Sequence, residues 1–423
     1  MHATKVLQKI LSPVIARLDA RNVRNLLFAV EALLAGRRLT LMELARHFPG
    51  AERVRAPLKR LDRLLGNPRV QAVRTEIYRA ALVWLIRSPR PVLVVDWSEL
   101  KSDGRWHLLR AAVVAQGRTL TVYEEVHPEA RKHHPRVHAA FLARLQALLP
   151  RGVCPILVTD AGFRVPWFQA VESLGWAWIG RVRDRARLCH LEAQKTLPPG
   201  WFACKQLYAR ASARALCLGC CALTERNGFP CRLVLVRRRK RGRVAFTRYG
   251  QRVRNGYSLK NAQRAKDPWL LASSCTLQAL PAAEIVRLYA SRMQIEQSFR
   301  DLKSHRYGCA FEDTLTREGK RLEMLLLIHA FATLIAWLEG SPLQPSFSPR
   351  ILRALAQRAS VLGGVARLGV SASHERPTIS AAAGGRAAIT RDACPCCVKA
   401  HEREDVGKPQ GQITVFANIP AHE

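Results

Sequence analysis

The chain has 423 residues, with 68 Lys or Arg against 32 Asp or Glu and a formal net charge of +36. An apolar content of 48% excludes a disordered polycation, and the length suggests two or three domains. So large a basic excess on a globular chain points to a polyanionic partner, most simply nucleic acid.

The start, MHATKVLQKILSPVIARLDARN, reads as an amphipathic helix broken by charges rather than the apolar core of a signal peptide. The longest uncharged apolar run, MLLLIHAFATLIAWL (324–338), falls short of the ~18 residues that suggest a membrane span, so a buried helix is expected and no membrane partner. The reading is a cytoplasmic protein whose twelve cysteines are reduced. Cys217, Cys220 and Cys221 form one cluster and Cys394, Cys396 and Cys397 another. No two CxxC motifs stand at ribbon spacing, so structural zinc is not expected.

Residues 1–75 read as a helical, basic domain. LTLMELARHF (39–48) carries a Thr40-x-x-Glu43 capping box. ERVRAPLKRLDRLLG (52–66) follows as a second helix displaying Arg53, Arg55, Lys59, Arg60 and Arg63. Helix, short turn and basic helix is the arrangement of a helix-turn-helix DNA reader; the plain alternative is a bundle with a solvated basic face.

The pattern changes at Pro91. PVLVVDWSEL reads as a buried strand with an acid at its end, and RWHLLRAAVVAQGR and TLTVYEEVHP as strands joined near Gly117. An amphipathic helix, PRVHAAFLARLQALLP, is followed by the strand PILVTDAGF, the helix VPWFQAVESLG and the strand WAWIGRVRD. This is a mixed α/β sheet flanked by helices with some parallel strands. His133, His134 and His138 (HHPRVH) are read as surface or helix-entry residues. From about 185 to 280 the helical period lapses into a β-rich insertion with apolar runs such as CRLVLV and PWLLASS. RRRKRGR (237–243), which includes Arg237, Arg238, Arg239 and Lys240, reads as a phosphate-binding loop or a solvated one.

YASRMQIEQSFRDLKS (289–304) is expected as one helix. Tyr289, Arg292, Glu296, Arg300 and Lys303 then fall within roughly 80° of its circumference. Leu288, Ile295, Phe299 and Leu302 form the apolar stripe beside them. The tail from about 341 is less periodic and reads as partly disordered.

Asp96 and Asp160 occur in similar settings, VLVVDWS and ILVTDAG, each after an apolar strand run. A charged acid there is costly unless it faces a cleft and is neutralised. With Glu296 they suggest a carboxylate cluster for a pair of hard divalent ions, Mg²⁺ with Mn²⁺ as substitute. Two such ions about 3.5–4 Å apart suit in-line displacement at a phosphorus. Arg292, Arg300 and Lys303 would then hold the phosphate backbone, and Tyr289 would supply a hydroxyl or a stacking ring.

The spacing Tyr289-x2-Arg292-x3-Glu296-x6-Lys303, with VLVVDWS, VTDAGFRVPWF and RMQIEQSFRDLKS, resembles the Y-R-E-K signature and aspartate blocks of a known family. These are the DDE transposases of bacterial cut-and-paste insertion sequences, of the insertion sequence four family. The resemblance extends from about residue 20 to about 340. It implies a ribonuclease-H-like catalytic domain over 90–340 with the β-rich insertion before the last catalytic helix, and an N-terminal domain that binds double-stranded DNA at terminal inverted repeats. It implies Asp96, Asp160 and Glu296 as catalytic metal ligands, a homodimer that pairs the ends, excision through a hairpin, and joining to target DNA in a bacterial, nucleoid-associated setting. Trp269 then matches a tryptophan that stacks on a flipped base; otherwise it is a core strand residue. Beyond about 371 the chain departs from the family pattern. The competing readings are an inactive end-binding protein and a ribonuclease-H-like nuclease.

Overall fold

The computed structural model describes residues 3–339, apart from residues 16, 87, 116, 184–185, 192–197, 239–250 and nearly all of 253–265. Arg239, Lys240 and the tail from 341 lie outside the described residues.

The chain opens with helices α1 (Ala3–Ile15), α2 (Ala20–Gly36), α3 (Leu41–Arg46), α4 (Arg55–Leu65), α5 (Pro68–Ala72) and α6 (Arg74–Leu85). The Thr40 hydroxyl accepts from the Glu43 amide at 3.3 Å, the cap its spacing suggests. α4 starts at Arg55 rather than at residue 52, so Arg53 lies in the bend before it. Pro57 accounts for the later start. It lacks an amide hydrogen and fits only a first turn, where none is needed.

The strands and intervening helices are β1 (Val92–Glu99), β2 (Trp106–Ala115), β3 (Arg118–Pro128), α7 (Pro135–Leu148), β4 (Ile156–Thr159), α8 (Val165–Glu172) and β5 (Ala177–Val182). Then come β6 (Arg187–His190), β7 (Trp201–Ala203), β8 (Leu216–Leu223), β9 (Phe229–Val236) and β10 (Trp269–Ser273). They form one sheet in the order β3-β2-β1-β4-β5-β10-β9-β8-β6-β7. β1, β4 and β5 are parallel neighbours, and β1–β2–β3 is an antiparallel meander. This mixed α/β sheet is consistent with a ribonuclease-H-like fold. CRLVLV and PWLLASS lie in β9 and β10, which extend the sheet beyond β5.

Helices α9 (Ala282–Ser291), α10 (Met293–Lys303) and α11 (Gly319–Glu339) follow. The single helix expected over 289–304 is therefore interrupted at Arg292. Its cause is local. The Ser291 hydroxyl donates to the Leu288 carbonyl at 2.6 Å, the acceptor an α-helix would offer to the Arg292 amide. That amide turns to the Tyr289 carbonyl instead, at 3.1 Å. α11 contains the long apolar run. Gly319–Leu338 is long and apolar enough to cross a membrane, yet 72% of its most apolar window is buried against the rest of the chain. It packs on α2 and β3.

One continuous apolar cluster runs from α1 through the sheet to α11. A second joins β4, β5, β9 and β10 to α9. A buried polar network ties α6 to the meander. Asp96, Arg110 and Glu124 are successive register partners across β1, β2 and β3 and so share a face. Arg110, 1% exposed, donates Nε to the fully buried Glu124 at 2.6 Å. The Tyr78 hydroxyl donates to the same carboxylate at 2.8 Å. Arg74 donates to the Glu124 carbonyl at 2.7 Å and pairs with Glu323 of α11 at 3.0 Å. Truncating Glu124 to Ala leaves the Arg110 charge buried and unpaired, with an expected loss of about 3–5 kcal/mol in urea unfolding. The paired Arg110→Met/Glu124→Leu variant recovers most of that loss, because it strands no charge.

Candidate active site

Asp96 lies within β1 rather than at its end. β4 stops opposite it, since Val95 pairs with Thr159 and Asp160 follows directly. The two aspartates thus leave neighbouring parallel strands at the same level, while β1 continues as a hairpin with β2. Asp96 is 7% exposed. Its Oδ1 accepts from the Trp97 amide at 2.8 Å, and its Oδ2 accepts from Arg292 Nη1 at 2.9 Å. Asp160 is partly exposed, and its Oδ1 accepts from the Gly162 amide at 2.8 Å. A Cβ at Gly162 would stand 3.0 Å from that oxygen and 3.2 Å from His133 Cε1, so a larger residue there would press on both side chains.

α10 brings the third acid. Gln294 accepts from the Gly117 amide at 2.8 Å, the Ser298 hydroxyl accepts from the Thr119 amide at 2.8 Å, and Asp301 pairs with Arg118. Residues 294, 298 and 301 form one stripe of the helix, so these bonds fix it to the β2–β3 turn. Ile295, Phe299 and Leu302 are buried, as their spacing indicates, and the Arg110 guanidinium lies over the Phe299 ring at 5.3 Å. Glu296 Oε1 accepts from Arg292 Nη2 at 2.6 Å. One guanidinium therefore bridges Asp96 and Glu296.

Arg292 is turned inward. It is 8% exposed and turned into the carboxylates, not displayed toward a phosphate backbone. Burial opposes its charge, but Asp96 first, then Tyr289 and Glu296, hold its pKa above the ordinary value. Burial pushes Asp96 up to about 7. Arg292 opposes the shift, and Asp160 and Glu296 add to it. Asp96 and Glu296 thus share one guanidinium with the charge of Asp160 nearby, leaving a deficit of positive charge.

That deficit and the all-oxygen donor set fit a hard divalent cation. Among the described residues no three His, Cys, Asp or Glu side chains stand close enough to hold an ion together, and Arg292 lies between two of the three acids.

Tyr289 is buried as well. It is 2% exposed, within the second apolar cluster and edge-on to Trp269 at 5.0 Å between centroids; burial pushes its hydroxyl up to about 12. Trp269 begins β10 and is only partly buried, with the guanidinium groups of Arg181 and Arg238 near its ring at 6.0 Å and 5.1 Å. Arg300 is exposed, while Lys303 Nζ donates to the Glu99 carbonyl at 3.1 Å. Arg53, Lys59, Arg60 and Arg63 are exposed on and just before α4. Arg237 is not a loop cation. It donates to the carbonyls of Ala211 at 3.1 Å and Tyr208 at 2.8 Å, which anchor it at the end of β9. His134 caps α7 by accepting from the Arg136 amide at 3.2 Å. His138, expected near the surface, is instead 6% exposed, because it falls on the apolar side of α7 with Val137 and Phe141.

Residues 87–335, more than half of the chain, match the family of the transposase DDE domain. The chain belongs to the DDE transposase family. It is therefore a transposase, an enzyme of DNA transposition and recombination. No curated protein matches this transposase. Among solved structures, a piggyBac transposase synaptic complex with hairpin DNA is similar at 11% identity and a TM-score of 0.37, over 94% of this chain and 86% of that one.

The raised Asp96 pKa gives the site a signature in stability. Between the ordinary value of 3.8 and about 7, the folded protein holds a proton that the unfolded chain has released. Asp96 therefore contributes full stability below the lower value and loses it as pH rises through the upper. In chelator-treated protein the melting temperature is expected to fall across this window relative to Asp96→Asn. Parallel pH curves for the two proteins would contradict a buried, incompletely neutralised Asp96.

Proposed function

We propose that this transposase is of the insertion sequence four type. It binds terminal inverted repeats, excises the element by hydrolysis and hairpin formation, and joins the 3′-hydroxyl ends to target DNA. The observation that carries the proposal is the bridge from Asp96 through Arg292 to Glu296, with Asp160 level with Asp96 on the neighbouring strand. The bridge joins Asp96 of the first aspartate block to Glu296 of the Y-R-E-K block.

Asp96, Asp160 and Glu296 would hold two Mg²⁺ ions, with Mn²⁺ as substitute. Bound there, the ions supply Lewis-acid charge for the attacking and departing oxygens. Arg292 donates to both Asp96 and Glu296 and holds them in place. Arg300 and Lys303 extend the positive surface along α10 toward the DNA backbone, and Arg238 adds to it beside Trp269. Tyr289 supports the Trp269 ring from its edge, and that ring is the platform for a base unstacked in a tight hairpin. The exposed cations of α4, with Arg53 before it, take the transposon end. A homodimer pairs two ends.

The deciding experiment is Mg²⁺-dependent cleavage of DNA carrying the inverted repeats that flank this reading frame, run beside Glu296→Ala. A hairpin on denaturing gels from the native chain and none from the variant is expected. Cleavage without a hairpin or joined product would indicate a nuclease, and binding without cleavage an inactive end-binding protein.

For α4, Lys59→Ala and Arg63→Ala are each expected to lower the slope of log affinity against log salt by about 1 on any duplex that carries the end sequence. An unchanged slope in both would remove α4 from the DNA interface.

A further inference from the structure

His138 stands between the two aspartate segments. Its Nε2 accepts from the Trp97 indole Nε1 at 3.0 Å. Trp97 follows Asp96 in β1, and its amide donates to Asp96 Oδ1 at 2.8 Å. The other side of the imidazole stacks on Phe163, 5.1 Å between centroids and 22° between planes. Phe163 ends the turn of Asp160, whose Oδ1 takes the Gly162 amide at 2.8 Å. Trp167, at the start of α8, closes the contact edge-on to His138 at 5.2 Å. One ring thus touches the residue after Asp96 and the residue that closes the Asp160 turn. Burial first, then His133, His127 and His134, hold the imidazole neutral with a pKa lowered to about 4. A neutral ring keeps the Nε2 lone pair that the indole requires.

We propose that His138 is a positioning residue for the transposase reaction, holding Asp96 and Asp160 in register by accepting the Trp97 indole and stacking on Phe163. It rests on the catalytic reading of the two aspartates, but its geometry is separately measurable. β1 and β4 are joined by hydrogen bonds only as far as Val95 and Thr159. Among the described residues no β1–β4 pairing continues beyond that point, and the His138 ring spans the two segments.

The test uses the full chain with four variants. His138→Phe keeps a ring for Phe163 but offers no acceptor. His138→Gln restores an acceptor. Trp97→Phe removes the indole donor, and a double variant joins Trp97→Phe to His138→Phe. Amide exchange is read at Trp97 and Gly162, whose hydrogens bond the two aspartates. Faster exchange by about tenfold at both amides is expected for His138→Phe, with the β2–β3 amides unchanged. His138→Gln should return the Trp97 amide toward native protection.

Cleavage of end DNA is expected to slow roughly 10- to 100-fold in His138→Phe, with end binding unaltered in gel shifts. His138→Gln should recover most of that rate, and the double variant should be no slower than either single one. Native exchange at both amides in His138→Phe, or equal loss in His138→Phe and His138→Gln, would overturn the proposal. If the native chain binds ends without cutting them, the catalytic reading fails, while the exchange result still decides what His138 does to the two aspartates.

Discussion

A carboxylate on a central strand must find positive charge within hydrogen-bond reach, and in this transposase Arg292 meets that need for Asp96. The guanidinium is nearly as buried as the acid it serves. It also reaches Glu296, one turn along α10. The interruption between α9 and α10 at Arg292, the burial of Tyr289 behind it and the approach of α10 to β1 all surround this single bridge. Burial is the main cause of the raised pKa of Asp96; Asp160 and Glu296 add to it, and the Arg292 guanidinium opposes it.

Polar contacts elsewhere serve the same placement. α10 is tied to the β2–β3 turn through Gln294, Ser298 and Asp301. These partners set how deep Glu296 sits over the sheet, whereas the apolar stripe of Ile295, Phe299 and Leu302 sets only which side of α10 faces inward. On the same face of the meander, Arg110 lies beside Asp96 in register yet turns to Glu124. Arg110 is thereby spent on a structural pair with α6, and Arg292 is left as the cation that bonds to Asp96.

The basic surface divides in two by the same reasoning. Lys59, Arg60 and Arg63 project into solvent from α4, while Leu61, Leu64 and Leu65 hold it in the core. Arg237 and Arg232 have equal formal charge but spend it on backbone carbonyls, Arg232 on those of Leu277 and Leu280. A net charge of +36 therefore overstates what is presented to DNA.

Local pattern by itself determined much of this. Alternation and apolar runs mark β1 through β5. The Thr40–Glu43 spacing marks a helix start. The Y-R-E-K spacing and the two aspartate blocks mark the acids and point to the family whose domain spans residues 87–335. The tertiary structure alone decided what the polar side chains face. The Arg292–Asp96 bond joins residues 196 positions apart, and nothing in a helical period says that an arginine beside exposed cations turns inward. Tyr289 was legible as part of the motif but not as a buried ring, because its neighbour Trp269 arrives from a separate strand. His138 read as one of several histidines at a helix start. Only the meeting of β1, β4 and α7 gives it an indole donor on one side and an aromatic ring on the other. Periodicity encodes which side of an element is apolar, whereas the partner of a buried charge is set by segments that meet only in the folded chain.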